Sequence, residues 1–118
     1  MFKEFLYAKI HRATVTDANL NYTGSITIDK ALLKASTIKV GQKVDVLNLN
    51  NGERFHTYVI EGEENSGTVC LNGAAARLVQ KEDKVIIVAY ALMSDEEEAG
   101  FEPKIVHVDT ENRIVPSF

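Results

Sequence analysis

Four short stretches hold most of the side chains in this sequence that could do chemistry. They are Lys9-Ile10-His11-Arg12, Tyr22-Thr23-Gly24-Ser25, Asn51-Gly52-Glu53-Arg54-Phe55-His56-Thr57-Tyr58 and Asn72-Gly73-Ala74-Ala75-Ala76. In the second, a hydroxyl directly follows a glycine. A serine just after a peptide bond is placed to attack the carbonyl before it and turn the amide into an ester. Glycine on the other side, lacking Cβ, permits the strained backbone and close approach this needs. The ordinary reading of a Gly-Ser pair is a bulge or a turn. Lys9 and Arg54 suit a carboxylate ligand, Arg54 through two parallel hydrogen bonds; on strands, both could equally be solvent-facing charges. The phenol of Tyr58 stays protonated at neutral pH and has a proton to give, or the ring simply packs. Asn72 can steady a developing negative charge. The small residues after it either let backbone N–H groups approach a ligand or form a tight turn.

The common cofactor and catalytic signatures are missing. There is no phosphate loop, dinucleotide fingerprint, His-Glu-x-x-His or paired-cysteine spacing, and Gly24-Ser25 lacks the frame of a nucleophile elbow. His11, His56 and His107 are scattered and read singly as surface or packing residues, so no metal is expected. The acids 95–98 read as a solvated helix start. A net charge of -4 argues against nucleic acid or an anionic membrane as partner. Cys70, the single cysteine, allows no internal disulfide, points to a reducing compartment and is expected in the core. The first residues carry charge too early for a secretory signal. The longest apolar run, 85–93, is well short of the roughly 20 residues that span a bilayer. A cytoplasmic protein of one domain, 1–118, is the expectation.

Taken in register, the four stretches resemble the aspartate 1-decarboxylase family, with the likeness running from Lys9 to about Ala99 and little recognisable beyond Gly100. Ser94 stands where many relatives would have proline. The resemblance implies a small double-psi β-barrel and a homotetramer with active sites shared between subunits. It implies self-cleavage between Gly24 and Ser25 into residues 1–24 and 25–118, with or without a helper for maturation. Ser25 would then become a covalent pyruvoyl group, which holds the substrate amine as a Schiff base and replaces pyridoxal phosphate as electron sink. The activity implied is decarboxylation of L-aspartate to β-alanine for pantothenate and coenzyme A synthesis. By the same likeness, Thr57 would polarise the Gly24 carbonyl and Tyr58 would donate a proton. Lys9, Arg54, Thr57, Asn72, Gly73, Ala74 and Ala75 would bind substrate, with His11 and Tyr22 lining the site. Glutamate as substrate and a barrel stripped of catalysis are the alternatives.

These residues need elements to hold them. Short segments with period-two alternation and β-branched residues predict a mainly β fold with one or two short helices. Leu6, Ala8 and Ile10 alternate with Tyr7, Lys9 and His11 on a first strand. Residues 22–28 read as a strand with Gly24 in its interior, where glycine often marks a bulge. Asp29 should cap a helix with an Ala31, Leu32, Ala35 stripe. Residues 43–49 and 54–60 flank Asn51-Gly52, a type I′ hairpin signal. Strict alternation puts Thr57 and Tyr58 on opposite faces, so a bend or a subunit boundary must bring both to one site. A strand at 68–71, a buried strand at 85–93, a helix capped by Ser94 and Glu97, and a last strand at 105–108 complete the prediction.

Overall fold

The computed structural model describes residues 1–116. In chain order it contains β1 (Phe2–Thr14), β2 (Asp17–Asn19), β3 (Ser25–Asp29), α1 (Lys30–Ser36), β4 (Lys43–Asn48) and β5 (Arg54–Gly62). After these come β6 (Val69–Asn72), a 3-10 helix (Gly73–Leu78), β7 (Lys84–Ser94), α2 (Asp95–Ala99), β8 (Lys104–Val108) and β9 (Ile114–Val115). The fold is mainly β with short helices, as the alternation predicts. Strands follow the order β2-β6-β3-β5-β4-β7-β1-β8-β9, and β2 and β9 are not paired to each other. The barrel therefore takes the form of a sheet wrapped on one core, without a closed hydrogen-bond ring among the described residues.

The wrap turns on β5. Residues 54–58 pair antiparallel with β4, while 59–62 pair parallel with β3. Pairs β1–β8 and β2–β6 are also parallel, and each needs a long crossover instead of a tight turn. Inside lie Ile10, Val15, Ile26, Ile28, Leu32, Val46, Val59, Leu71, Val85 and Ile87, all fully buried in one cluster. Each such side chain contributes about 1.5–3 kcal/mol by leaving water.

Several local expectations need correction. Residues 22–24 precede the strand, which opens at Ser25, so Gly24 is not a strand interior. The hairpin forms, with Leu47 opposite Arg54, but its loop is 49–52 and of the two central residues only Gly52 has positive φ (77°). Asn48 closes it by accepting the Gly52 N–H at 2.9 Å, so the type I′ expectation fails. Asp29 does cap α1, but the buried side is Leu32, Leu33 and Ser36, with Ala31 and Ala35 at its margin. Strand β7 is buried mainly in its first half; Tyr90 and Leu92 are 40% and 70% exposed. The Ser94–Glu97 capping box is formed as predicted. Strand β8 is not the last, since β9 pairs with it.

Candidate active site

Ser25 opens β3 directly opposite Asn72, the last residue of β6. Its side chain is 1% exposed. Ser25 Oγ donates to the Thr23 carbonyl at 3.2 Å and accepts from Asn72 Nδ2 at 2.9 Å. Asn72 Nδ2 also donates to Thr27 Oγ1 at 3.0 Å, and Asn72 Oδ1 accepts from Cys70 Sγ at 3.3 Å. The amide is thus held by three side chains, a fully used polar network of the kind that fixes geometry in an interior. Cys70 is half-buried against Asn72 and not a core residue. Burial, and then the nearby Asp17 carboxylate, push its thiol pKa up, which keeps it a neutral donor.

The glycine that the junction requires is Gly73. Its φ is +63°, and a Cβ there would sit 2.6 Å from Gly24 Cα and 2.8 Å from Gly24 N. Gly24 itself has room: a Cβ would meet only the Asn72 carbonyl oxygen, at 4.0 Å. The close approach inferred for Gly24 is real, but the missing Cβ that permits it belongs to its neighbour.

Beside this junction lies an open cavity of about 460 Å³, whose lining includes Gly24, Thr57, Tyr58, Ala74 and Ala75. The two faces of β5 both reach it for a topological reason. Ile26 is level with Val59, and from there towards residue 54 the β3 side of β5 is unpaired. The cavity occupies that free edge, so half-buried Thr57 on the inner face and Tyr58 on the outer face both border it. The bend foreseen for this pair is the parting of β3 from β5. No hydrogen bond joins Thr57 to the Gly24 carbonyl among the described residues.

Other expected site residues lie elsewhere in the single chain. Lys9, Val88, Asp45 and His56 form one row across β1, β7, β4 and β5. At about 4.8 Å per strand, Lys9 is roughly 14 Å from His56. Arg54 shares that outer face, opposite Leu47, and is exposed. His11 pairs with His107 across β1 and β8 and lines a different cavity. Tyr22 is 53% exposed, and its contribution near the junction is its carbonyl, 3.0 Å from the position of a Gly73 Cβ. Among the described residues no helix is long and apolar enough to cross a membrane.

The sequence profile of the aspartate decarboxylase family matches residues 1–115. The chain belongs to that family. A protein named aspartate 1-decarboxylase from Caldicellulosiruptor bescii is 65% identical over 115 residues, covering 98% of this chain and 90% of the relative. One of the same name from Sulfurimonas denitrificans is 61% identical over 111 residues, 94% of this chain and 92% of the relative. Another, from Thermoanaerobacter pseudethanolicus, is 57% identical over 115 residues, 98% of each chain. The aspartate decarboxylase match thus extends past Gly100, where the motifs alone showed little. The cavity also takes in Lys43, Phe55, His56 and Leu78, none of which the sequence assigned to the site. A two-residue turn at Asn51-Gly52 would set Lys43 opposite Ile60; the longer loop 49–52 sets it opposite Tyr58, beside the cavity.

Proposed function

We propose that the protein converts L-aspartate to β-alanine and carbon dioxide, using a pyruvoyl group made from Ser25 after the chain cuts itself between Gly24 and Ser25. The observation that supports this best is the buried Ser25 hydroxyl, held by Asn72 at a junction whose Gly24 lines the cavity. In the cut, Ser25 Oγ bonds to the Gly24 carbonyl carbon and the peptide C–N bond breaks, leaving an ester and a free Ser25 amine. Loss of the Ser25 α-proton then expels the Gly24 carboxylate, leaving dehydroalanine, and water converts the enamine to a ketone with release of ammonia. Ser25 Oγ gives its hydrogen bond to a carbonyl and not to a side-chain base, so the first step is expected to be slow. Thr57, which lines the cavity together with Gly24, is the side chain suited to polarising that carbonyl.

The residues present fit a pyruvoyl group, because Ser25 is its source and the neighbouring Gly24 lines the cavity. Once formed, the group supplies a ketone that holds the substrate amine and draws electrons from the bond to the departing carboxylate. The chain's own residues do the rest. Asn72 holds the residue 25 side chain in place, Gly73, Ala74 and Ala75 let backbone N–H groups come close, and Tyr58 delivers the proton that replaces carbon dioxide. Tyr58→Phe should cleave normally yet lose about 100-fold in kcat; unchanged turnover would remove Tyr58 from that role.

Arg54 and Lys9 serve the two substrate carboxylates, with Lys9 coming from a neighbouring subunit. A homotetramer with shared sites is supported by the span between Lys9 and the cavity. It is supported too by exposed Ile105, opposite Lys9, and by exposed Tyr90 and Leu92 further along β7. The single free cysteine suits the cytoplasm, and the product suits pantothenate supply.

Intact mass of the denatured protein tests the reading, together with a product assay offering L-aspartate and L-glutamate. The expected result is residues 1–24, plus residues 25–118 lighter by one ammonia than a serine-started chain, and β-alanine from aspartate. A full-length chain that forms no β-alanine would overturn it.

A further inference from the structure

Strands β3 and β6 set four polar side chains in two facing pairs. Ser25 lies opposite Asn72 and Thr27 opposite Cys70, and the two-residue period puts all four on one face. Ser25 carries the chemistry and Asn72 touches it; Thr27 and Cys70 touch no reacting atom. The direction of each hydrogen bond in this group follows from counting donors. Ser25 Oγ gives its hydrogen to the Thr23 carbonyl at 3.2 Å, so towards Asn72, at 2.9 Å, it can only accept. Asn72 must therefore turn its NH2 end, and not its oxygen, to Ser25.

The two ends of an asparagine amide have nearly the same shape, so a half-turn about its last bond would reverse the arrangement. Two neighbours oppose that half-turn. Thr27 Oγ1 takes the second Nδ2 hydrogen at 3.0 Å. The Cys70 thiol donates to Asn72 Oδ1 at 3.3 Å, nearer than its other acceptor, the Leu71 carbonyl at 3.8 Å. Thr27 is itself held in one rotamer. It is β-branched, and its methyl lies 3.1 Å from where a Gly62 Cβ would stand. Gly62 leaves the methyl its place, and the hydroxyl is turned to Asn72.

A donor on Ser25 Oγ hinders the attack and helps the departure. It draws electron density from the oxygen that has to bond to the Gly24 carbonyl carbon. In the later elimination the same oxygen leaves. The Ser25 α-proton goes to water, the Cβ–Oγ bond breaks, and Oγ takes the electron pair away as part of the Gly24 carboxylate. A donor already aimed at an oxygen that gains charge lowers that barrier. We propose, given the self-cleavage set out above, that Thr27, seconded by Cys70, is a positioning residue for the elimination. It keeps the Asn72 NH2 on Ser25 Oγ, so that the ester goes on to the ketone instead of being hydrolysed back to serine.

The test is the fate of residue 25, followed by intact mass of denatured samples as wild type and variants mature. Half of each sample is treated briefly with neutral hydroxylamine, which opens esters, so that uncut amide, ester, serine-started and ketone-bearing chains are told apart. Thr27→Val keeps the shape and loses the acceptor. It should form the ester at least as fast as wild type, yet raise the ratio of ester plus serine-started chain to ketone-bearing chain about tenfold, the worth of one aligned hydrogen bond. Thr27→Ser keeps the acceptor and should stay near the wild-type ratio. Cys70→Ala should shift the ratio the same way and Cys70→Ser should not, a second pair that decides the matter if Thr27→Val fails to fold. On an Asn72→Ala background Thr27→Val should change nothing further, because its effect passes through the amide. A general loss of stability would slow every step and leave the ratio alone. A wild-type ratio in folded Thr27→Val, an equal rise in Thr27→Ser, or an added effect beside Asn72→Ala would each overturn the assignment while self-cleavage stands. A wild-type chain that yields neither ester nor fragments would overturn the self-cleavage reading, and this assignment with it.

Discussion

Ser25→Ala protein should remain a single chain, fold, and form no β-alanine from L-aspartate. In the proposed mechanism the hydroxyl is the group that attacks the Gly24 carbonyl, so without it neither the cut nor the ketone should form. The fold survives because the substitution is nearly isosteric in a site where Asn72 Nδ2 keeps its second acceptor, Thr27 Oγ1, at 3.0 Å. One buried N–H of Asn72 and the Thr23 carbonyl lose a partner, which costs on the order of 1–3 kcal/mol in denaturant unfolding. A gel of aged protein, a circular dichroism spectrum and a product assay check the three parts separately. Decarboxylation by the uncut alanine protein would remove the pyruvoyl mechanism.

The other large effect is expected at a residue that carries no reactive group. Gly73→Ala places a methyl 2.6 Å from Gly24 Cα, with backbone on both sides of the contact. It also forces alanine into φ +63°, which alone costs about 1–2 kcal/mol. The junction has to move away from the new atom, and a displacement approaching an ångström at a reacting carbonyl costs about 100-fold in rate. Gly73→Ala should therefore slow cleavage by about that factor and lower stability. Gly24→Ala, with only a 4.0 Å contact to meet, should keep the wild-type unfolding temperature. Time courses of chain cleavage and thermal melts of the two proteins, run together, make the comparison. Wild-type cleavage by Gly73→Ala would mean that the glycine contact positions nothing.

What could be read from the sequence was what short-range chemistry decides. The Ser94–Glu97 capping box spans four residues, and both of its hydrogen bonds form as expected. Alternation separated buried Ala8 and Ile10 from Lys9 and His11 on β1, but not Tyr7, which packs against the core where the register slips between Leu6 and Ala8. The hairpin at Asn51-Gly52 was found, but not its loop, because the Asn48 carbonyl and side chain capture the turn and lengthen it. Strands β2 and β9, three and two residues long, have no pattern of their own and exist through pairing with β6 and β8. Buried Asn112, whose side chain bonds both Thr14 and Gly67, ties the unrecognised C-terminal segment to distant loops. The cavity was half legible for a similar reason. Period two says which face of β5 a residue is on, but the free edge arises from where β3 departs, and only that brings Phe55 and His56 into the lining beside Thr57 and Tyr58.

One consequence follows from the place of β1 in the sheet. A cut at Gly24–Ser25 would leave β1 on the short piece, yet β1 lies between β7 and β8, paired with β7 from Phe2 to Thr14 and with β8 from Ala8 to His11. The short piece would be an interior member of the sheet and could not detach without dismantling the core around Ala8, Ile10 and Ala13. While the chain is whole, tethering keeps β1 at high effective concentration near its partners; after the cut that advantage is gone. Refolding would become a meeting of two molecules, slower on dilution and favourable only where concentration allows. Such a protein has one easy opportunity to fold, before its own chemistry removes the tether, and its later persistence rests on the slowness of unfolding.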